Sequence, residues 1–254
     1  MTLQSPRTVL IMGAAGSIGS AVAQLFAQAK DDLILSDLVA PKELESLRAT
    51  SGSARFIACD LSQSASIQEL FENIKTAHDH IDILVNAAGI VSKGPSDQLE
   101  EAEWDRVSAI NLKSVFLCCK YTLAMMMPKR SGRIINIGSV IGQNGGNARP
   151  WLSPEEQLSS SNVAYAAAKA GVHAMTAFMA REYARFGITV NAIAPGPVAT
   201  PMIAQYPQAL IDLIPMRRLA TPEEVADAVF YLASKNAGFI NGTTLDVNGG
   251  LHIR

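Results

Sequence analysis

The chain has 254 residues, 48% hydrophobic, 17% charged and 6% aromatic, with a formal net charge of −2. That length suits one large α/β domain with a sizeable core. A near-neutral balance without a basic block excludes electrostatic capture by nucleic acid or an anionic membrane, and no apolar run reaches the ~18 residues needed to span a bilayer.

Thr8–Met12 is a short apolar run, followed by glycines at 13, 16 and 19 and a helical pattern over Ser17–Ala29. Leu33–Asp37 reads as the next strand, and the charged Pro41–Thr50 segment as a short helix. Arg55–Cys59 is a strand, and Ser64–His78 has helical spacing at Ile67, Leu70, Phe71 and Ile74. "IDILVNAAG" gives a fourth strand ending near Asn86, Ala102–Met127 a long helix, and "GRIINIGS" a fifth strand. Val163–Phe186 is a long Ala-rich helix and "ITVNAIAPG" a sixth strand. Pro222–Ala233 is a helix with Thr221 as its N-cap, and "TTLDVNGG" the last strand.

Continuous apolar strands alternating with helices predict a single-domain, doubly wound parallel sheet of about seven strands, Rossmann-like, with helices on both faces. One domain is expected over 1–254, with irregular segments at 143–162 and 195–215. Both should overhang the crevice beyond the strands' carboxyl ends, where ligands sit in such folds. The opening "MTLQSPR" does not read as a signal peptide, so a cytoplasmic protein is expected. Cys59, Cys118 and Cys119 lack metal-ligand spacing and read as buried small hydrophobes in a reducing compartment; no metal is expected.

A βα turn that opens a helix offers free N–H groups and a positive dipole end to a phosphate. Gly13 would let the chain turn off the strand and Gly19 would let the helix pack closely. Gly16, with Ser17 and Ile18 beside it, would meet a pyrophosphate. Asp37 lies 24 residues after Gly13, at a strand end. A carboxylate there accepts hydrogen bonds from the adenosine ribose of NAD and repels the 2′-phosphate of NADP. Leu38, assigned with it to the adenosine end, carries no counter-charge, and only Lys30 and Lys42 lie near in sequence. NAD is therefore the expected cofactor. Further along, Tyr165 and Lys169 stand at i and i+4 on one helix face, separated by three alanines. A nearby ammonium favours the phenolate and would bring the tyrosine toward service as a general base.

These features, in this order, resemble the short-chain dehydrogenase/reductase family over essentially the whole length. The matching segments are the glycine turn Gly13–Gly19, Asp37, "CDLS" with Asp60 and Leu61, and "NAAG" at Asn86, Ala87, Ala88 and Gly89. They continue with Asn111 in "INLKSVF", Ser139 in "IINIGSVIG", Tyr165 and Lys169, "APGPVATPM" at Ala194–Met202 and "DVNGG" at Asp246–Gly250. The resemblance implies that Tyr165 exchanges the proton of an alcohol or carbonyl, and that Lys169 lowers the tyrosine pKa and holds the nicotinamide ribose. Ser139 would hold the substrate oxygen, and Asn111 would support a water through which the proton leaves. Asp60 and Leu61 would contact adenine, and Pro195, Gly196, Val198 and Thr200 would hold the nicotinamide end. Asn86 and the residues after it would let the cofactor approach the backbone.

Three departures from the family pattern stand out. Met12 replaces a threonine and Ser17 a glycine, so Ser17 N–H or hydroxyl would stand where bare backbone usually meets the pyrophosphate. "NAAG" has one asparagine where the family has two. Ser139 and Tyr165 are 26 positions apart, wider than usual. The extra residues either elaborate the surface or cover the substrate, in which case Arg149, Trp151 or Gln157 reaches over the pocket.

The two long helices carry apolar residues on more than one face: Val115, Phe116, Met125 and Met126 in one, Val172, Met175, Phe178 and Met179 in the other. A homodimer or homotetramer is expected through them. The function expected is an NAD-dependent dehydrogenase or reductase of a small molecule, with neither nucleic acid nor membrane as partner. Its substrate would be a secondary alcohol or ketone of sugar, polyol, hydroxy-acid or 3-oxoacyl type. The alternatives are a non-catalytic NAD-binding scaffold and a nucleotide-sugar epimerase or dehydratase.

Overall fold

The structure, a computed structural model, describes residues 6–146, 150–151, 153–201 and 206–253. Seven strands form one parallel sheet in the order β3-β2-β1-β4-β5-β6-β7. They are β1 (Thr8–Met12), β2 (Asp32–Asp37), β3 (Ser53–Ala58), β4 (Ile83–Asn86), β5 (Gly132–Ile137), β6 (Ile188–Pro195) and β7 (Thr244–Val247). Strand order reverses between β1 and β4, which creates the crevice where a ligand binds in such sheets.

Side chains alternate along each strand, so β1 feeds two cores. Val9 and Ile11 enter the layer with α1 (Ser17–Gln28) and α10 (Pro222–Leu232), where Phe26, Val225 and Val229 are buried. Leu10 and Met12 enter the opposite layer, with α3 (Ser64–Lys75), α5 (Ser114–Met126) and α8 (Val163–Tyr183). The edge strands β3 and β7 are only partly covered, so the expectation of two buried faces holds for the inner strands alone. All three cysteines are buried inside the second layer, and burial pushes the Cys119 thiol up to about 12. Among the described residues no helix is long and apolar enough to cross a membrane.

Helix α10 starts where Thr221 and Glu224 form a reciprocal capping box with Pro222 in the first turn. The 41–50 segment contributes α2 (Leu44–Thr50). The expected helix over 102–127 is not continuous. It runs as α4 (Glu101–Ser108), a π-helical turn over Ala109–Lys113, and then α5. Asn111 sits inside that turn, and such turns recur at functional positions.

The two segments read as irregular hold short helices: α6 (Ile141–Asn144) and α7 (Pro154–Ser159) in the first, α9 (Gln208–Ile211) in the second. Four to six residues are too few to display a hydrophobic period. The segments leave the carboxyl edge of adjacent strands, where Val140 N–H donates to the Pro195 carbonyl. Arg149 and Met202 lie outside the described residues.

The apolar faces of the long helices are largely satisfied within the chain. Val115, Met125, Met126, Val172 and Met179 are buried in the second layer, and Met175 packs against it. Phe116 and Phe178 remain exposed, at 42% and 71%.

Candidate active site

The glycine turn is shaped by backbone contacts that admit no side chain. Gly13 has φ +83°, and a Cβ there would lie 2.5 Å from the Ala88 nitrogen. A Cβ on Gly19 would lie 2.0 Å from the Gly13 carbonyl oxygen. The turn after β1 is thus pressed against the Ala87–Ala88 backbone that follows β4. Gly16 differs, because a Cβ there meets only the Gly13 carbonyl at an ordinary 3.4 Å and φ is −74°. What keeps that side open is therefore outside the chain's own packing, as a cradle for a ligand requires. Ser20 N–H makes the first helical bond of α1, to the Gly16 carbonyl. The N–H groups of Ser17, Ile18 and Gly19 find no backbone acceptor among the described residues, and the first turn carries no acid. These groups fit a pyrophosphate.

The carboxylate of Asp37 closes the adenosine end of the crevice. It accepts Ala15 N–H at 3.0 Å and Leu38 N–H at 2.7 Å, which ties the end of β2 to the glycine turn. Leu38 is 66% exposed. Lys30 precedes β2 and donates to the Thr50 carbonyl at 2.5 Å, so it lies at the far end of the strand from Asp37. Asp60 accepts hydrogen bonds from the N–H and hydroxyl of Ser62, which orders the turn carrying Leu61.

Asn86 is buried, and its amide donates to Asn136 Oδ1 at 2.8 Å and to Cys119 Sγ at 3.4 Å. Asn136 passes the network on to Thr176 Oγ1 at 2.9 Å. The Asn86 side chain therefore locks β4 to β5 in the second layer, and only its backbone can face a cofactor. At the nicotinamide end, Gly196 N–H donates to the Val247 carbonyl, and a Cβ on Gly196 would crowd the Asn248 Cα at 3.0 Å. Val198 is buried in the first layer and pairs with Ala220, so it too can offer a ligand mainly its backbone. Pro195 ends β6 and Thr200 is half-buried beyond it.

Ser139, Tyr165, Lys169 and Asn111 come together where β4 and β5 end. Tyr165 and Ser139 share a hydrogen bond between their side chains, and the Ser139 Oγ also accepts Ile141 N–H at 3.2 Å. Lys169 Nζ lies 5.9 Å from the centre of the Tyr165 ring and donates to the Ile137 carbonyl at 2.7 Å. A Cβ on Gly89 would meet Lys169 Nζ at 3.3 Å and Asn111 Oδ1 at 3.4 Å, so all three elements converge on Gly89. Asn111 clamps that loop, its Oδ1 accepting Ile90 N–H and its Nδ2 donating to the Ile90 carbonyl, both at 2.8 Å.

Lys169 is 4% exposed, with one hydrogen bond and no carboxylate partner among the described residues. A buried ammonium in that state is costly, and burial lowers its pKa to about 8. Two N–H donors remain for a ribose hydroxyl pair, which fits the expected nicotinamide nucleotide. Tyr165 is shifted the other way by burial. Desolvation raises its pKa, and the Ser139 hydrogen bond only partly opposes that. Burial therefore favours the neutral phenol.

His173 went unassigned in the sequence. It follows Tyr165 at i+8 and Lys169 at i+4 along α8. Its Nε2 accepts the Ser139 backbone N–H at 3.3 Å, which sets the ring proton on Nδ1. A Cβ on Gly138 would fall 2.0 Å from Nε2, so the ring backs directly onto the strand end that carries Ser139. The eight-residue spacing was the signal that could have found it.

A family model described as enoyl-(acyl carrier protein) reductase matches residues 13–252. The chain is 36% identical over 252 residues to the 3-oxoacyl-(acyl-carrier-protein) reductase FabG of Haemophilus influenzae, covering 97% of this chain and 98% of that protein. It is 33% identical over 262 residues to an acetoacetyl-CoA reductase of Acinetobacter, covering 99% and 100%. It is 37% identical over 251 residues to a cis-4-hydroxycyclohexanecarboxylate dehydrogenase of Sinomonas cyclohexanicum, covering 96% of each. With the reversed strand order, the glycine turn and the Ser139–Tyr165–Lys169 cluster beside it, these matches make the chain a member of the short-chain dehydrogenase/reductase family, an oxidoreductase.

Proposed function

We propose that the chain is an NAD-dependent dehydrogenase or reductase of a secondary alcohol and its ketone, with Tyr165 as general acid and base. The observation that carries this reading is the buried Lys169 beside Tyr165, whose phenol is hydrogen-bonded to Ser139. A binding scaffold has no use for a costly buried ammonium next to a phenol. In the oxidation direction, the substrate hydroxyl sits between Ser139 and Tyr165. Its proton passes to the tyrosine oxygen as the carbinol C–H breaks and the carbonyl forms. A nicotinamide held beside Lys169 would supply the hydride-accepting chemistry, and its positive charge together with the Lys169 ammonium would oppose the desolvation that raises the Tyr165 pKa, so that Tyr165 could take the proton as a phenolate. Asn111 holds the Gly89–Ile90 loop against Lys169 and so steadies the route by which the proton leaves through water.

Asp37 supports NAD over NADP, because a carboxylate already fixed against the glycine turn would face a 2′-phosphate. The relatives' names point to 3-oxoacyl thioesters in two cases and a ring alcohol in the third, all secondary alcohol or ketone pairs. Exposed Phe116 and Phe178 support a homodimer or homotetramer through α5 and α8. The test is absorbance of the reduced nicotinamide with a panel of secondary alcohols, with NAD and NADP in parallel. Net reduction with NAD favoured is expected, and Asp37→Ser should narrow the NAD:NADP ratio of kcat/KM by roughly tenfold or more. NAD binding without turnover would point to a scaffold. Turnover of a nucleotide sugar without net reduction would point to an epimerase, and preference for NADP would overturn the cofactor assignment.

A further inference from the structure

Asn162 joins two parts of the site that are far apart in the chain. It is the N-cap of α8, and its Oδ1 accepts the backbone N–H of Tyr165 at 3.3 Å. Its carbonyl accepts Ala166 N–H at 3.2 Å, so one residue holds the amides of Tyr165 and of its successor. Across the crevice, Asn162 Nδ2 donates to Ser92 Oγ at 2.7 Å and to the Lys93 carbonyl at 3.3 Å. Its backbone N–H donates to the Ser92 carbonyl at 3.0 Å. The side chain is buried, with both amide hydrogens and the oxygen engaged.

Ser92 and Lys93 belong to the loop after β4. That is the loop in which Gly89 lies against Lys169 Nζ and Ile90 is clamped by Asn111. Two asparagines thus hold it, Asn111 at Ile90 and Asn162 at Ser92 and Lys93. The same loop, at Gly94, Pro95 and Ser96, borders a cleft that Trp151 and Gln157 also line. Behind Ser92 stands an ion pair on α4: the Ser92 hydroxyl donates to the Glu103 carboxylate, which Arg106 grips at 2.7 and 2.9 Å. These bonds hold the Glu103 carboxyl at about 2, so it serves as an acceptor only. The Ser92 oxygen must then accept from Asn162 Nδ2, which leaves Asn162 Oδ1 for the Tyr165 N–H.

A cap needs only the Asn162 oxygen, and a serine supplies one as well. The bonds to Ser92 and Lys93 do something further, because they tie the turn that carries Tyr165 to the loop that touches Lys169. Reacting groups have to be held within about 0.5 Å of their productive geometry, and a misplacement of about 1 Å can cost on the order of a hundredfold in rate.

We propose that Asn162 is a positioning residue: its ties to Ser92 and Lys93 set the first turn of α8, and with it the Tyr165 phenol, in register with Ser139 and Lys169 for proton transfer. The proposal rests on the oxidoreductase reading above and adds to it a residue that acts through Tyr165.

The test compares Asn162→Ala, Asn162→Ser, Ser92→Ala and the Asn162→Ser/Ser92→Ala double variant in the full-length protein. NAD and the secondary alcohol that the wild type oxidises fastest are the substrates, and kcat is counted per NAD-binding site, which removes any general loss of folded enzyme. Asn162→Ala should lower both Tm and kcat. Serine keeps a capping oxygen but is too short to reach Ser92. Asn162→Ser should therefore recover most of the Tm lost in Asn162→Ala while kcat stays roughly tenfold or more below wild type and the Kd for NAD stays within about twofold. Ser92→Ala should lower kcat about threefold or more, and the double variant should fall no further than Asn162→Ser, since both changes break one tie. The proposal is overturned if Asn162→Ser keeps kcat within about threefold of wild type, which would make Asn162 a cap and nothing more. It is also overturned if the two single losses multiply in the double variant, or if NAD affinity falls in step with kcat. A wild type that neither oxidises any alcohol nor reduces any matching ketone would instead sink the oxidoreductase reading, and this proposal with it.

Discussion

The two sides of the crevice are built by different means. On the β1–β2 side, a short turn does everything: Gly13 and Gly19 leave no room for a side chain, Asp37 reaches back to Ala15 N–H, and the first amides of α1 stay free. On the β5–β6 side, segments far apart in sequence are pinned together, through Gly94 with Ser160 and Asn162 with Ser92. The cofactor side is thus a rigid local motif with little tolerance. The substrate side is assembled from loops that hold side chains in open space, and that is where one fold can change its specificity.

The same substitution should expose this contrast. Gly13→Ala meets both a positive φ and the Ala88 backbone at 2.5 Å, so it should cost about 3 kcal/mol or more, read by denaturant unfolding. Gly145→Ala, in the stretch after α6, has φ +76° but nothing within 4 Å and should cost about 1 kcal/mol. Equal losses would mean that the two sides are not built differently.

Lys169 lies between the two sides and links stability to chemistry. Its folded pKa, about 8, is below the ordinary 10.5. Between those values the unfolded chain holds the proton more firmly, so native stability rises with pH across that window. Lys169→Met should abolish that slope and raise stability near pH 7 by up to about 3 kcal/mol, while kcat/KM falls on the order of a hundredfold. A variant that loses stability at pH 7 would contradict the cost assigned to the buried ammonium, and an unchanged kcat/KM would contradict its role in the site.

What could be read from the sequence followed the same division. Strand β1 and the start and cap of α10 stood where apolar runs and Thr221 put them, because those signals are local. The fifth strand ends at Ile137, short of Ser139, which leaves that serine free to turn toward Tyr165. The π-turn at Asn111 was invisible, since it arises from the clamp on Ile90 and no break in helical composition marks it. The roles of His173 and of Asn86 depend on partners 34 and 50 residues away. The burial that raises the Tyr165 pKa was not legible either, because a helical spacing reveals a neighbouring ammonium but not desolvation.

The central claim is that Tyr165 moves the proton that accompanies hydride transfer, and the most direct measurement is single-turnover reduction of NAD by a secondary alcohol in Tyr165→Phe. The rate should fall about a thousandfold, with NAD still bound, as read by quenching of tryptophan fluorescence, and the fold retained. A variant that keeps more than about a tenth of the wild-type rate would contradict the account, because losing a general acid–base group should cost about a hundredfold or more.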